Sequence, residues 1–206
     1  MLKNEVIDTI LEKRRSYKVF SEKTVSDEIL ETILMCGQMA PTGMNKQPWH
    51  FTVIKTPEAM EEFGKDLLEA GAKNGPFGAG DPPLNPSGAP AGGPIPNATA
   101  TPAARTRNAP IMIIVSGDIN EMCAHIDAPL AMENMLIAAA SLGLDTGWDF
   151  FVNKDFFEGP DGAAYKAKYK IPEGYKAYCS CYFGYRDENQ PKRDRGPRRE
   201  GTITIF

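Results

Sequence analysis

The sequence predicts a folded domain that contains both amphipathic helices and short apolar strands. Two observations carry this prediction: apolar residues recur at helical spacing in several long segments, and β-branched or aromatic residues form compact runs between them. The chain of 206 residues has the length of one domain, and we assign residues 1–206 to it. Its 42% of hydrophobic and 24% of charged residues are typical of a folded protein.

Helices are indicated by apolar periodicity together with capping residues. Ser26 is a favoured N-cap before two acidic residues, and Pro57 suits the first turn of a helix. The stretch after residue 123 is apolar on nearly every side, which predicts a core helix. Its small residues permit close packing against another helix or a second subunit. The predicted helices cover residues 3–14, 26–39, 57–70 and 124–142, with a weaker signal over 154–170.

Strands are indicated by runs of β-branched and aromatic residues. Residues 111–116 are apolar without interruption, as in a strand buried on both faces. Residues 202–206 are strand-like but isolated. Because a lone strand must pair, we expect this C-terminal arm, residues 200–206, to join a sheet edge of its own or of another subunit. The other predicted strands cover residues 49–55, 111–116, 144–152 and 177–185.

Residues 71–110 form an insertion rich in proline and glycine. Nine of the 17 prolines lie in it, and it offers no apolar pattern for a core of its own. A segment of this length inside a domain is usually functional or disordered. We weigh a lid over a ligand pocket equally against a mobile insertion.

Composition and charge exclude several classes of function. The formal net charge of −4 argues against binding to nucleic acid. Positive charge is local, around Arg14 and after Pro191, so an anionic ligand should be small. No apolar run approaches the roughly 20 residues of a membrane span, and no secretory signal is recognisable, so we expect a cytoplasmic protein without a membrane segment. The four cysteines lack the spacing of a disulfide framework and should be reduced.

The chain offers little material for a metal or for side-chain catalysis. It has only two histidines, His50 and His125, and none of the spaced motifs that bind metals. Cys179 and Cys181 would share one face of a strand, where packing is the simpler role. No Gly-x-Ser-x-Gly turn is present. We therefore expect no metal and no catalytic side chain, with the chemistry supplied by a bound cofactor.

Two short segments have the chemistry to bind a phosphorylated, ring-containing ligand. The first combines fixed positive charge with a hydroxyl group, which suits phosphate, although solvated cations at a helix end would look the same. The second lies between a helix and a strand and offers a hydroxyl group and two amides to a polar ring. The residues concerned are Arg14, Arg15, Ser16 and Lys18 in the first segment, and Pro41, Thr42, Asn45 and Gln47 in the second.

Taken in order, these and two later motifs resemble the nitroreductase family of flavoproteins. The motifs are Arg14-Arg15-Ser16-x-Lys18-x-Phe20, Ala40-Pro41-Thr42-Gly43-Met44-Asn45-x-Gln47-Pro48-Trp49-x-Phe51, Asn134-Met135-Leu136 with Ala139-Ala140-x-Leu142-Gly143-Leu144, and Gly184-Tyr185 before Pro191-Lys192-Arg193. Each motif is modest, but the ordered set is specific. The resemblance implies a three-layer α+β sandwich with a central, mostly antiparallel sheet. It also implies an intertwined homodimer with flavin mononucleotide (FMN) at the subunit interface.

The resemblance further implies which residues contact FMN. The first segment would contact the phosphate, ribityl chain or ring, and the second would reach the ring from the partner subunit. Gly147 and Trp148 match the turn that approaches the reactive edge of the ring. Arg193 or Arg195 would be the second phosphate contact, with Lys192 competing for that role. The cofactor-binding set is then Arg14, Arg15, Ser16, Lys18, Pro41, Thr42, Asn45, Gln47, Gly147, Trp148, Arg193 and Arg195.

The function implied is an FMN-dependent oxidoreductase that passes electrons from NAD(P)H to a nitroaromatic compound or a quinone. Two alternatives stay open: a flavin enzyme that removes halogens or consumes the flavin, and a flavin-binding protein without enzymatic activity. The long insertion leaves the acceptor open, and the motifs do not choose between NADH and NADPH.

Overall fold

The fold is taken from a computed structural model, which describes residues 4–74, 101–190 and 196–206. Asn4 caps the first helix through its side chain, and Ser26 caps the second in the same way, with its hydroxyl group 3.3 Å from the Ile29 nitrogen. The α-helices are α1 (Glu5–Asp8), α2 (Asp27–Gln38), α3 (Pro57–Asn74), α4 (Pro102–Arg105), α5 (Ala124–Ser141) and α6 (Gly162–Lys168). Thr9–Lys13 and Val152–Phe157 are π-helical.

The strands form one antiparallel sheet in the order β1-β2-β4-β3. Its members are β1 (Trp49–Ile54), β2 (Ile111–Asp118), β3 (Asp145–Trp148) and β4 (Tyr175–Gly184). A bulge between Val115 and Ser116 shifts the register of β2 against β4. Strand β3 lies at an edge of the sheet. The segment that follows the π-helical turn runs beside β3, and Ser16 forms a parallel bridge with Thr146.

Helices cover both faces of the sheet, which explains why β2 is apolar throughout. Alternate residues of a strand point to opposite faces. Accordingly, Met112 and Ile114 pack in one core, and Ile113 and Val115 pack in the other. The first core includes residues of α3, α6 and Val152–Phe157, and the second includes residues of α2 and α5. The result is the predicted three-layer α+β arrangement with an antiparallel central sheet.

Most predicted elements are confirmed within one to four residues, but the prediction of a strand over 144–152 is wrong at its C-terminal half. Strand β3 ends at Trp148, and the chain then turns into the π-helical segment. Val152 and Phe156 are four residues apart and both buried in the first core. Their apolar character therefore serves a helical turn, which a short aromatic run does not distinguish from a strand.

The first predicted helix is also less regular than expected, because α1 is followed by a π-helical turn before the chain extends at Arg14.

The structure describes both ends of the predicted insertion over 71–110. Helix α3 runs on to Asn74, and α4 begins after Thr101, whose hydroxyl group accepts a hydrogen bond from the Ala104 nitrogen at 3.2 Å. Arg105 and Thr106 are buried. The prediction of a lid or a mobile segment falls on residues 75–100, which lie outside the described residues.

The C-terminal arm forms no strand within the described chain, and Ile203, Ile205 and Phe206 are fully exposed. Its pairing with a second subunit stays a prediction.

Candidate functional site

The basic segment, Arg14–Lys18, is held against the edge of β3 by main-chain contacts. The Tyr17 nitrogen donates to the Thr146 carbonyl oxygen at 2.8 Å, and the Tyr17 side chain is buried. Burial of Tyr17 turns its neighbours outward, so Ser16 is exposed and Arg15 and Lys18 are partly exposed. The fold thus fixes the main chain of this segment and leaves the Ser16 hydroxyl group exposed and the Arg15 and Lys18 cations partly exposed.

Gly147 is enclosed by the basic segment. A Cβ atom added to Gly147 would lie 2.5 Å from the Tyr17 carbonyl oxygen and 3.0 Å from Nη1 of Arg107. Such a contact with a backbone atom is too short, so the close approach of the two chains requires glycine at this position. Trp148 follows with 38% of its surface exposed. The structure therefore brings Arg14–Lys18 together with Gly147 and Trp148, as the site prediction requires.

The second predicted segment, the amide loop Pro41–Pro48, is mostly exposed. Met44, Asn45 and Gln47 have φ values of 51°, 55° and 49°, in the left-handed region that side chains other than glycine seldom adopt. Internal hydrogen bonds hold this shape. The Gln47 nitrogen donates to Oγ1 of Thr42 at 3.2 Å, and Nε2 of Gln47 donates to Oδ1 of Asn45 at 3.2 Å.

Both segments touch α5, but on different sides. The Gly43 nitrogen of the amide loop donates to Oδ2 of Asp127 at 3.3 Å, whereas Nε of Arg14 lies 3.6 Å from Oε1 of Glu133. Six residues along a helix correspond to roughly 9 Å of rise and about 120° of rotation. The amide loop and the basic segment therefore contact α5 at points that are separated both along and around the helix.

A buried charged cluster lies behind the Gly147–Trp148 turn, and the sequence analysis missed it. The Asp149 carboxylate oxygen Oδ2 is 3.2 Å from Nη2 of Arg107 and 3.5 Å from Nη1 of Arg105. The Asp149 side chain is 1% exposed, so these contacts offset the loss of its hydration. Because the partners are about 40 residues apart in the chain and Arg107 ends a proline-rich stretch, no sequence pattern connects them.

The cysteines and histidines of the site region have structural roles. All four cysteines are free thiols, as predicted. Cys179 and Cys181 pack in the second core, and burial raises the pKa of the Cys179 thiol to about 12. His50 meets the Tyr175 ring edge-on with the ring centres 6.4 Å apart.

Within residues 4–74, 101–190 and 196–206, no group of three or more potential metal ligands is assembled. In the same ranges, no helix has the length and apolar character needed to cross a membrane.

A cavity of about 760 Å³ lies away from these residues, beside the C-terminal end of β1. Its lining includes Val25, Leu30, Met60 and Ile111, together with Lys55, which is paired with Asp27 at 2.8 Å. Of the predicted site residues that the structure describes, none lines it. Lys192, Arg193 and Arg195, the predicted second phosphate contacts, lie outside the described residues.

The α+β sandwich, with the basic segment packed against the edge of β3, defines the class of fold to which the chain belongs. The model of the Nitroreductase family matches residues 11–185, and the chain belongs to that family. Among solved structures, it is similar to a nitroreductase with bound FMN from Bacteroides fragilis, with a TM-score of 0.78 and 30% identity over 99% of this chain and 100% of that one.

Two further relatives bear on the reaction. A protein of Methanothermobacter thermautotrophicus, named "Putative NADH dehydrogenase/NAD(P)H nitroreductase", is 26% identical over 197 residues, which cover 93% of this chain and 83% of that protein. Human iodotyrosine deiodinase 1 is 32% identical over 60 residues only, or 29% of this chain and 21% of that protein.

Proposed function

We propose that the protein is an FMN-dependent oxidoreductase that takes electrons from NAD(P)H and passes them to a small oxidised acceptor, such as a nitroaromatic compound or a quinone. The observation that carries this proposal is the junction of the basic segment with Gly147 in a chain whose fold matches an FMN-bound nitroreductase. When bound, FMN would supply the ability to accept and release a hydride equivalent.

The residues at the edge of β3 fit FMN. Arg14, Arg15 and Lys18 supply positive charge, and exposed Ser16 supplies a hydroxyl donor for phosphate oxygens. Without a Cβ, Gly147 lets the Tyr17 main chain and the Arg107 guanidinium pack against β3, which fixes the main chain beside the exposed Trp148, where a flat ring would lie. These features suit an anionic group at one end of a ligand and a planar ring at the other.

Residues of this chain would also orient the ring and its charge. Lys18 would direct positive charge toward the pyrimidine side of the ring, where negative charge is stabilised. A main-chain amide near Gly147–Asp149 would donate to the reactive nitrogen. The Asp149 nitrogen already donates to the Ser180 carbonyl oxygen at 3.0 Å, and Gly147, two residues earlier and paired with Tyr182, points toward the same strand, so Trp148 is the candidate. No side-chain nucleophile is required.

The site would be completed by a second copy of the chain. The amide loop is exposed and contacts α5 at a different point from the basic segment, so we expect Pro41, Thr42, Asn45 and Gln47 to reach the FMN of the partner. Large apolar side chains near the loop are also exposed, which favours coverage by another subunit. They include Met35 at 56%, Met39 at 79%, Ile126 at 52% and Leu130 at 40%. Free thiols and the absence of disulfides suit the cytoplasm, where we expect this dimer.

The visible spectrum of the purified protein tests flavin binding. We expect the wild type to be yellow with about one FMN per subunit, and the Arg14→Ala/Arg15→Ala variant to lose the colour because two phosphate-binding cations are removed. Lys13→Ala is the matched control, since it removes a neighbouring cation whose partner is Asp8 at 3.9 Å. A double variant that retains FMN at full stoichiometry would refute the assignment.

Anaerobic addition of NADH or NADPH then tests the reaction. Bleaching of the flavin absorbance, followed by its recovery on adding a nitroaromatic compound or a quinone, is the expected result. Absence of bleaching with both nucleotides would instead indicate a flavin-binding protein without this activity.

Removal of a halogen is the second candidate, favoured only by the local similarity to iodotyrosine deiodinase 1. Release of halide from a halogenated phenol by the reduced protein, without turnover of nitro compounds, would support it. Loss of the flavin itself in air, measured by product analysis, would indicate the flavin-consuming alternative.

A further inference from the structure

We infer that Arg107 is a positioning residue for the Gly147–Trp148 turn, so that the end of the insertion, residues 101–109, sets the environment of the ring-binding edge. The inference rests on the proposed function only in so far as it concerns FMN. Its structural part, that Arg107 fixes the turn, stands on contacts of this chain alone.

Arg107 joins the two parts of the site from behind. Its Nη1 donates to the Trp148 carbonyl oxygen at 3.3 Å and its Nη2 to Oδ2 of Asp149 at 3.2 Å. Its own carbonyl oxygen accepts from the Phe20 nitrogen at 2.9 Å, two residues after the basic segment. Arg107 therefore contacts both segments that adjoin Gly147: the turn at Trp148 and Asp149, and the stretch that leads from the basic segment to Phe20.

The Arg107 side chain is fixed in its place. The guanidinium carbon lies 4.9 Å from the centre of the Tyr182 ring, and the side chain is only 15% exposed. A planar, five-donor group stacked on a buried ring presents its N–H groups in one orientation. Lysine would keep the charge at this position but would not bind Trp148 and Asp149 together.

The backbone at Arg107 is unfavourable for an arginine. Its φ is 62°, and that of Asn108 is 55°, where glycine is the preferred residue after a helix. A strained residue persists only when its surroundings impose it, and such residues concentrate at functional sites. Glycine would adopt this backbone conformation at lower cost, but it would leave Trp148 and Asp149 without the guanidinium. The side chain of Arg107 is therefore the reason for an arginine at this position.

The charge of Arg107 also bears on a bound ring. Its guanidinium lies beside Gly147, with Nη1 3.0 Å from the position of a Cβ atom on that residue, and its side chain is only 15% exposed. A buried positive charge acts over a longer range than an exposed one. Arg107 would thus favour the gain of electrons by a ring on the other side of the turn.

The test uses the full chain with Trp49→Phe, which leaves Trp148 as its single tryptophan. We expect Arg107→Met and Arg107→Gly to lower the fluorescence anisotropy of Trp148 and to raise its quenching by acrylamide several-fold, and Arg107→Lys to rescue them in part. Arg186→Met is the matched control. It removes an arginine that packs on Tyr17 and lies 4.0 Å from Asp145 at the other end of β3. The control should leave Trp148 unchanged.

In the FMN-bound protein, Arg107→Met should shift the visible spectrum, lower the reduction potential of the flavin, and reduce kcat by about 10- to 100-fold with little change in KM. If Arg107→Met does not fold, the same measurements on Arg107→Lys and Asp149→Asn decide the role of Arg107. The first variant keeps a charged side chain in the cluster, and the second keeps a neutral one. Unchanged Trp148 fluorescence and an unchanged potential in folded Arg107 variants would overturn the inference. A wild type that binds no FMN would refute the proposed function, while the Trp148 measurements would still decide the role of Arg107.

Discussion

The basic segment and the amide loop are both expected to contact FMN, yet the chain holds them in opposite ways. The basic segment is bound to β3 through main-chain atoms, and Tyr17 anchors it in the first core. The amide loop is exposed and keeps its shape through hydrogen bonds among its own residues, such as the one between Gln47 and Asn45. One part of the site belongs to the core of its subunit, and the other is presented outward.

This difference indicates how the site is assembled. Left-handed conformations at Met44 and Gln47 each cost roughly 1 kcal/mol or more, and both side chains are exposed among the described residues, so burial there does not offset that cost. An exposed, strained and polar loop is suited to contacts with another molecule. The basic segment needs no such contact to hold its shape, so the two parts should respond differently to mutation.

The largest expected effect comes from mixing subunits. Co-expression of an Arg14→Ala/Arg15→Ala subunit with an Asn45→Ala/Gln47→Ala subunit should restore FMN binding that neither variant has alone. In a symmetric dimer whose sites combine both subunits, each mixed dimer contains one intact site out of two. Absorbance at the flavin maximum, measured on mixed dimers isolated with two different affinity tags, gives the stoichiometry.

The dimers of each single type are the controls. Mixed dimers without flavin, from subunits that each fold, would show that one subunit supplies both segments and would refute the shared site.

Thiol reactivity should separate the two regions by orders of magnitude. Cys123 is partly exposed next to the amide loop, where its Sγ lies 2.9 Å from the position of a Cβ on Gly43. Cys179 belongs to β4 and is buried in the second core, and this burial raises its pKa to about 12. At pH 8 only about one in ten thousand of such thiols is ionised, and only the thiolate reacts. Alkylation followed by mass spectrometry should modify Cys123 rapidly and Cys179 only after unfolding.

The sign of the pH dependence follows from the raised pKa. The folded protein keeps the Cys179 proton above the ordinary thiol pKa of 9.0, so its contribution to stability is complete below pH 9 and falls as the pH rises toward 12. Cys179→Ala should reduce this alkaline loss. Fast alkylation of Cys179 in the folded state would show that the second core is open to solvent and would contradict the prediction.

Gly147→Ala should disturb the core-anchored part. The new Cβ would lie 2.5 Å from the Tyr17 carbonyl oxygen, so the basic segment must move, at a cost of roughly 1–3 kcal/mol in the free energy of unfolding. FMN binding should weaken at the same time, measured by fluorescence titration. Gly174→Ala is the control: its φ is 78° and no atom lies near its Cβ position, so it should cost stability without affecting FMN.

Much of the fold could be predicted from the sequence because each element carries a local signal. Ser26 predicted the start of α2, and the apolar run of β2 predicted a strand covered on both faces. Residues 149–152 were misassigned because an aromatic run fills a core equally well as a strand or as a helical turn. Burial at Arg105 was missed because its partner, Asp149, is distant in sequence.

The site was predictable in part for the same reason. Short motifs identified the basic segment and the amide loop, but no motif shows that Gly147 is packed against Tyr17 or that Arg107 lies behind both. These contacts depend on how β3 meets the chain after α1, which is a property of the tertiary structure. The roles assigned to the site residues in FMN binding stay predictions until the variants are measured.

The smallest effect on stability is expected in the amide loop. Thr42→Val removes the hydroxyl group that accepts the hydrogen bond from the Gln47 nitrogen at 3.2 Å, and leaves the side-chain shape nearly unchanged. Because the loop is exposed, the unfolding free energy of the FMN-free protein should change by less than about 0.5 kcal/mol. FMN affinity should nevertheless fall several-fold, since the loop loses its ordered shape, and Thr42→Ser should restore it. A loss of stability as large as that of Gly147→Ala would mean that the loop is as firmly part of the subunit core as the basic segment.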